Sequence, residues 1–286
     1  MEIPRSAKPK IRLRITDGYK SISKIISENS LNTVCEEARC PNIYDCWSRE
    51  TATFMILGET CTRSCGFCSV KTGKPSPVDT FEPIRISQAV KKMSLRHVVI
   101  TSVDRDDLKN DFGATIWAET ITKIRETSPA CSIEVLTPDF QGHLPSLQKV
   151  FNAKPDIFSH NVECIERVSK QVRAQAVWQR SLGVLQRSVE YGLLTKSGMM
   201  VGLGETADEV LETMRQIAEI GVTIFTIGQY LQPTKDHLPV KRYVEPDEFD
   251  RYKIEGLRMG FKIIESGPLV RSSFHADEQA KLVLKV

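Results

Sequence analysis

From about residue 52 onward the chain alternates short apolar runs with helix-length stretches. The candidate strands are 52–58, 97–103, 132–138, 156–162, 196–202 and 223–231. Most are almost continuously apolar, as expected of strands covered on both faces of a parallel sheet. Helical patterns lie between them. The clearest is 207–220, where Thr206 and Glu209 read as a capping-box pair and Gly221 stands where a left-handed terminator is expected. Val210, Leu211, Met214, Ile217 and Ala218 share one face of that helix. Further helices are expected to begin near Ser87, Ala114, Leu144 and Gln179, and a last one after Pro246. Alternating units of this kind predict an α/β fold with right-handed crossovers. About six units are visible, which suits a partial (β/α)6 barrel, although a doubly wound open sheet fits the alternation nearly as well. Residues 1–50 and 266–286 fall outside the pattern and read as N-terminal and C-terminal extensions of a 51–265 barrel.

Bulk properties exclude some classes. The 286 residues carry a net charge of +3, too small to argue for nucleic-acid binding. No apolar run approaches the roughly 20 residues needed to span a bilayer. The N-terminal stretch lacks the apolar core of a secretory signal, so a cytoplasmic protein is expected. In a reducing compartment the eight cysteines read as metal ligands or catalytic thiols rather than disulfides. Cys131 and Cys164 stand alone and read as small buried side chains.

The other six form two triplets. Cys35, Cys40 and Cys46 have x4 and x5 spacings; Cys61, Cys65 and Cys68 have x3 and x2. Each triplet is one thiolate short of a closed tetrahedral site. Zinc sites usually present two ligand pairs, and no His follows at finger spacing. A structural ferredoxin-like cluster would want a fourth local cysteine. The second triplet follows the first candidate strand directly, where ligands bind in such folds.

The run CTRSCGFC, with Phe67 at the aromatic position, resembles the Cx3CxΦC motif of the radical S-adenosylmethionine (SAM) superfamily. The resemblance implies a 4Fe–4S cluster on Cys61, Cys65 and Cys68 whose open iron binds SAM, giving a 5′-deoxyadenosyl radical on reductive cleavage. Gly198-x-Met200-x-Gly202-x-x-Glu205 is similar to that superfamily's G-x-I-x-G-x-x-E signature. Strand-end polar residues Thr101, Ser102, Asn161 and Glu163 suit the amino and ribose groups of SAM, and Arg173 its carboxylate. For each of these a simple turn or surface contact is the competing explanation.

CEEARCPNIYDCW resembles the motif of lipoyl synthases nearly residue for residue. The likeness extends through VVITSVDRDDL (98–108), IEVLTPDF (133–140), HNVE (160–163), TKSGMMVGLGET (195–206), TIGQYLQPT (226–234), HLPV (237–240) and GPLVRSSFHADE (267–278). It implies a second, auxiliary 4Fe–4S cluster on Cys35, Cys40 and Cys46, closed by Ser273 of the R-S-S motif. Phe274 stands where the family has tyrosine. A serine alkoxide is a harder ligand than thiolate and should leave iron more readily, which suits a cluster used as the sulfur source. The implied reaction inserts sulfur at C6 and C8 of an octanoyl group amide-linked to a lysine, consuming one SAM at each carbon. Implied partners are octanoylated lipoyl-carrier domains (2-oxoacid dehydrogenase E2 or glycine cleavage H protein), an electron donor and an iron–sulfur carrier. Other sulfur-inserting radical SAM enzymes and a non-catalytic iron–sulfur scaffold are the alternatives. Residues 8–14 alternate basic and apolar side chains, which suits either a solvated tail or an arm drawn to an acidic carrier.

Overall fold

The computed structural model describes residues 15–29, 31–49 and 51–284; the basic arm at 8–14 lies outside them. Eight strands are present among the described residues: β1 (Asn32–Thr33), β2 (Thr53–Ile56), β3 (His97–Ser102), β4 (Ser132–Leu136), β5 (Ile157–Ser159), β6 (Thr195–Val201), β7 (Ile224–Gln229) and β8 (Ile263–Gly267). Neighbouring strands follow chain order from β1 to β5 and again from β6 to β8. A doubly wound sheet would reverse that order at a switch point, so the barrel-type reading holds.

The chain divides into two compact units. One contains the described residues up to Arg63, then Val70–Ser159 and the residues from His275 onward. In it β2, β3, β4 and β5 pair in parallel, and β1 adds an antiparallel edge with Asn32 opposite Met55. The other unit contains Ser64–Ser69 and His160–Phe274. There β6, β7 and β8 pair in parallel, with Gly228 in register with Gly267. Strands β2 and β7 are buried along their whole length, which explains their mostly apolar sequence.

The six strands expected from sequence are all present, five of them shortened at their ends and β6 shifted by one residue. β2 stops where Leu57 and Gly58 turn left-handed (φ 69° and 90°). Two strands were not foreseen. β1 is only two residues long, and β8 is half-exposed over its second half, so neither carries a continuous apolar signal. The helix expected near Ser87 starts earlier, at Glu82, because Pro83 occupies its first turn, where a missing N–H costs nothing. Buried Glu82 in turn accepts the Leu57 amide at 2.7 Å, fixing this helix against the end of β2. The helices Ala114–Thr127, Leu144–Asn152, Trp178–Glu190 and Pro246–Met259 begin within a residue of expectation.

The helix Ala207–Ile220 carries the expected reciprocal cap. Thr206 Oγ1 accepts the Glu209 amide at 3.3 Å, and Glu209 Oε2 accepts the Thr206 amide at 2.8 Å. Its buried face (Val210, Met214, Ile217) packs into the core of its unit beside Phe225 and Tyr252. Gly221 ends it at φ 96°. Thr206→Ala is expected to cost about 1 kcal/mol and to lower the thermal midpoint by roughly 2–4 °C in calorimetry, leaving far-ultraviolet dichroism unchanged.

Candidate functional site

Two very short helices present the first triplet, both in the unit that contains β1–β5. Cys35 lies on Val34–Glu37, whose N-terminus is capped by Thr33 Oγ1 accepting the Glu36 amide at 3.3 Å. The chain then turns through Arg39 (φ 48°), and the Cys40 amide donates back to the Cys35 carbonyl at 3.0 Å. Cys46 lies on Ile43–Ser48, with its carbonyl accepting both the amide and the hydroxyl of Thr51. Behind it, buried Trp47 packs on Tyr19, which stacks on Tyr44 at 5.4 Å.

The three thiols sense one another. Burial, then the neighbouring Cys40, pushes the Cys35 thiol up to about 12. Burial, then Cys35 and Cys40, pushes Cys46 up to about 12. None of the three is in a disulfide. Protons on buried, mutually repelling thiols are displaced when iron binds them as thiolates, so the donor set fits a cluster. Among the described residues no three His, Cys, Asp or Glu side chains are gathered for one metal ion. A cluster asks something different, one thiolate on each of several irons.

The tail meets this region within the same unit. The guanidinium of Arg49, three residues past Cys46, reaches Glu278 at 2.5 Å and Asp277 at 3.6 Å. These acids open the helix Ala276–Leu284, which follows the turn containing Ser273.

The second triplet lies on the loop after β2. Cys61 is held by backbone bonds to Lys71 and Gly73. Its sulfur accepts two amides, from Asp104 at 3.3 Å and Arg63 at 3.4 Å. Amide donors aimed at sulfur favour the thiolate, which opposes the upward push from burial and from the Asp104 carboxylate. Cys65 and Cys68 belong to the unit that contains β6–β8. There Gly66 donates to the Val172 carbonyl at 2.9 Å and accepts from the Leu238 amide at 3.0 Å. A Cβ on Gly66 would lie 2.9 Å from the Leu238 side chain, so glycine permits the approach. His237 Nε2 donates to the Cys68 carbonyl at 3.0 Å while Nδ1 is 2.8 Å from the Thr234 hydroxyl. Phe67 packs against that unit's hydrophobic core.

The strand-end residues are placed as follows. Thr101 donates to the Leu136 carbonyl and Ser102 to that of Val103. In the other unit, Asn161 Nδ2 donates to Ser272 Oγ at 2.6 Å and to Glu163 at 3.1 Å, while its buried Oδ1 lacks a partner. Glu163 adopts φ 68°, and burial raises its carboxyl pKa against the lowering pull of Arg173. Arg173 donates to the Asn161 and Val162 carbonyls. Glu205 accepts the amides of Gly202 and Leu203 at 2.6 and 2.9 Å, closing its own loop. Gly202 is at φ 99°, and a Cβ there would fall 2.2 Å from Gln229 Nε2. A Cβ on Gly198 would fall 2.2 Å from Thr226 Oγ1. An orphaned amide oxygen and a buried carboxyl with a raised pKa suit a ligand carrying an ammonium group and hydroxyls, as SAM does.

Several side chains in this set had no role from sequence. Arg63, His237 and Ser272 hold loops through contacts between segments far apart in the chain, and Gln229 accepts the Val244 amide fifteen residues on. Only their presence inside the quoted motifs signalled them.

Residues 55–217 match the Radical SAM superfamily model. Streptococcus suis SuiB bound to S-adenosylmethionine shares the fold at a TM-score of 0.60 and 12% identity, over 80% of this chain and 55% of SuiB, so the chain spans just over half of SuiB's length. Methylornithine synthase (PylB) aligns at a TM-score of 0.54 and 11% identity, over 90% of this chain and 84% of its own. The chain belongs to the radical SAM superfamily, whose members use SAM and a 4Fe–4S cluster. The lipoyl synthase of Rubrobacter xylanophilus is 56% identical over 95% of this chain and 85% of that protein. That of Oceanobacillus iheyensis is 53% identical, over 94% and 87%, and the mitochondrial lipoyl synthase of Nematostella vectensis is 48% identical, over 96% of both. The chain is therefore a member of the lipoyl synthase family. No described helix is long and apolar enough to cross a membrane.

The raised thiols give a direct check. In the metal-free protein at pH 8, Cys35 and Cys46 should react with iodoacetamide about a thousandfold slower than an unperturbed thiol. Their rates should climb with pH toward the value of about 12 at which each ionises, read by peptide mass mapping.

Proposed function

We propose that the chain inserts two sulfur atoms, at C6 and C8, into an octanoyl group held in amide linkage on a lysine of a lipoyl-carrier domain. In this reading Cys61, Cys65 and Cys68 hold the SAM-binding cluster, and Cys35, Cys40 and Cys46 hold an auxiliary cluster closed by Ser273. When bound, these groups supply a carbon-centred radical able to take hydrogen from an alkyl C–H bond and the sulfide that replaces it.

The observation that carries the reading is the electrostatically coupled triplet of Cys35, Cys40 and Cys46, with the tail clasped beside it. Arg49 grips Asp277 and Glu278, four and five residues past Ser273. A radical SAM fold needs neither feature for SAM cleavage alone; a second, sulfur-yielding cluster gives both a purpose. The chain's own contribution is positional. Amides on the Cys61 sulfur favour thiolate, the Gly66–Leu238 and His237–Cys68 contacts fix the rest of the loop, and Glu205 shapes the strand end that would face the adenosine. Phe67, Thr101, Ser102, Asn161, Glu163, Gly202 and Arg173 complete the proposed SAM surroundings. Such fixed placement, with water kept from the radical, is the largest rate contribution expected of the protein. The E2 or H-protein carrier domain, an electron donor and an iron–sulfur carrier are the partners this chemistry requires, in the cytoplasm.

Anaerobic reconstitution should give about eight irons and eight sulfides per chain, as two such clusters require. With SAM, a reductant and an octanoyl-lysine carrier peptide, the product should gain two sulfurs by mass. Ser273→Ala should still cleave SAM but yield no doubly thiolated product. Full product from that variant at the wild-type rate would remove Ser273 from the ligand set; no sulfur gain by the wild type would reject the function. Gly198→Ala, which drives a methyl into Thr226, should weaken SAM binding at least about tenfold, roughly 1.4 kcal/mol, by equilibrium dialysis.

A further inference from the structure

Arg63 stands between the first two cysteines of the 61–68 motif, and its side chain is only 3% exposed. A buried guanidinium must be paired, and this one meets three carboxylates. Nε and Nη2 make a bidentate contact with Asp106 at 2.7 and 2.9 Å. Nη2 also donates to Asp139 at 2.7 Å, and Nη1 lies 3.3 Å from Asp104. Asp104 and Asp106 follow β3; Asp139 follows β4 and is wholly buried.

Backbone contacts run alongside. The Thr62 amide and hydroxyl both donate to the Asp104 carbonyl, at 3.0 and 2.9 Å, and the Asp106 amide donates to the Thr62 hydroxyl at 3.0 Å. The Asp104 amide then reaches the Cys61 sulfur. Residues 61–63 are thus stitched to residues 104–106 on both faces, with the guanidinium as the central fastening. Lysine could match the charge but not the fork that grips Asp106 while reaching Asp139.

One carboxylate would neutralise the arginine. Three leave two formal negative charges in a poorly solvated place, and one Asp104 oxygen lies 3.9 Å from the Cys61 sulfur. Buried surplus charge is costly, so its retention calls for a use. Negative charge beside a redox centre opposes addition of an electron, which lowers the midpoint potential and makes the reduced centre a stronger reductant. Donating an electron to a sulfonium asks for that.

We propose that Arg63 is a positioning residue that fastens Cys61 to the ends of β3 and β4 while keeping a net-negative carboxylate cage against the cluster loop, so that the cluster is held at low potential. The inference rests on Cys61, Cys65 and Cys68 being the SAM-binding cluster ligands.

The test uses reconstituted wild-type protein with Arg63→Lys, Asp106→Asn and Asp139→Asn. Amide hydrogen exchange reads the fastening, and potentiometric titration of the electron paramagnetic resonance signal that responds to SAM reads the charge. Arg63→Lys should exchange the Arg63 and Asp104 amides at least tenfold faster. Asp106→Asn and Asp139→Asn should each move the midpoint to more positive potential while keeping wild-type iron; the partly exposed Asp106 gives a second variant should Asp139→Asn fail to fold. Wild-type exchange in Arg63→Lys, or unshifted midpoints in iron-replete Asp variants beside a normal wild-type signal, would overturn the role of the cage alone. Absence of any SAM-responsive signal in the wild type would overturn the ligand assignment together with it.

Discussion

Parallel pairing is the constraint from which the rest follows. In each unit it directs the loops after successive strands to the same edge of the sheet. In the unit of β1–β5 that edge receives Cys61 after β2, Asp104 and Asp106 after β3, and Asp139 after β4. In the unit of β6–β8 it receives Gly202–Glu205 after β6 and the segment containing His237 after β7. The strands behind them are largely buried, leaving the chemistry to loops on a rigid base.

The local energetics are those of charge held in place. Three neighbouring thiols at 35, 40 and 46 disfavour one another's ionisation. At Cys61, burial and then the Asp104 carboxylate raise the thiol pKa, and two amides oppose them. Glu163 is buried with a raised pKa beside an Asn161 oxygen that has no partner. Buried groups with shifted ionisation of this kind cluster at functional sites.

Much of the fold was legible because the signals were local. Six apolar runs, the Thr206–Glu209 cap and Gly221 announce themselves within a few residues, and the structure reproduces them. β1 and β8 escaped because a two-residue bridge and a half-exposed strand have no periodic signature. The same contrast runs through the site. Cysteine spacing is visible in the chain, whereas the partners of Arg63 at 104, 106 and 139 and of Asn161 at 272 are separated from them by dozens of residues.

The sequence by itself determined the class of chemistry, because thiolate number and spacing fix which metal groups a loop can accept, and it determined the βα rhythm, because burial on both faces demands continuous apolar runs. Tertiary structure alone decided which polar groups meet. It set Arg63 among three carboxylates, brought Asn161 to Ser272, and clasped the tail to Arg49. Such contacts depend on strand order and register, and these are properties of the sheet as a whole rather than of any segment in it.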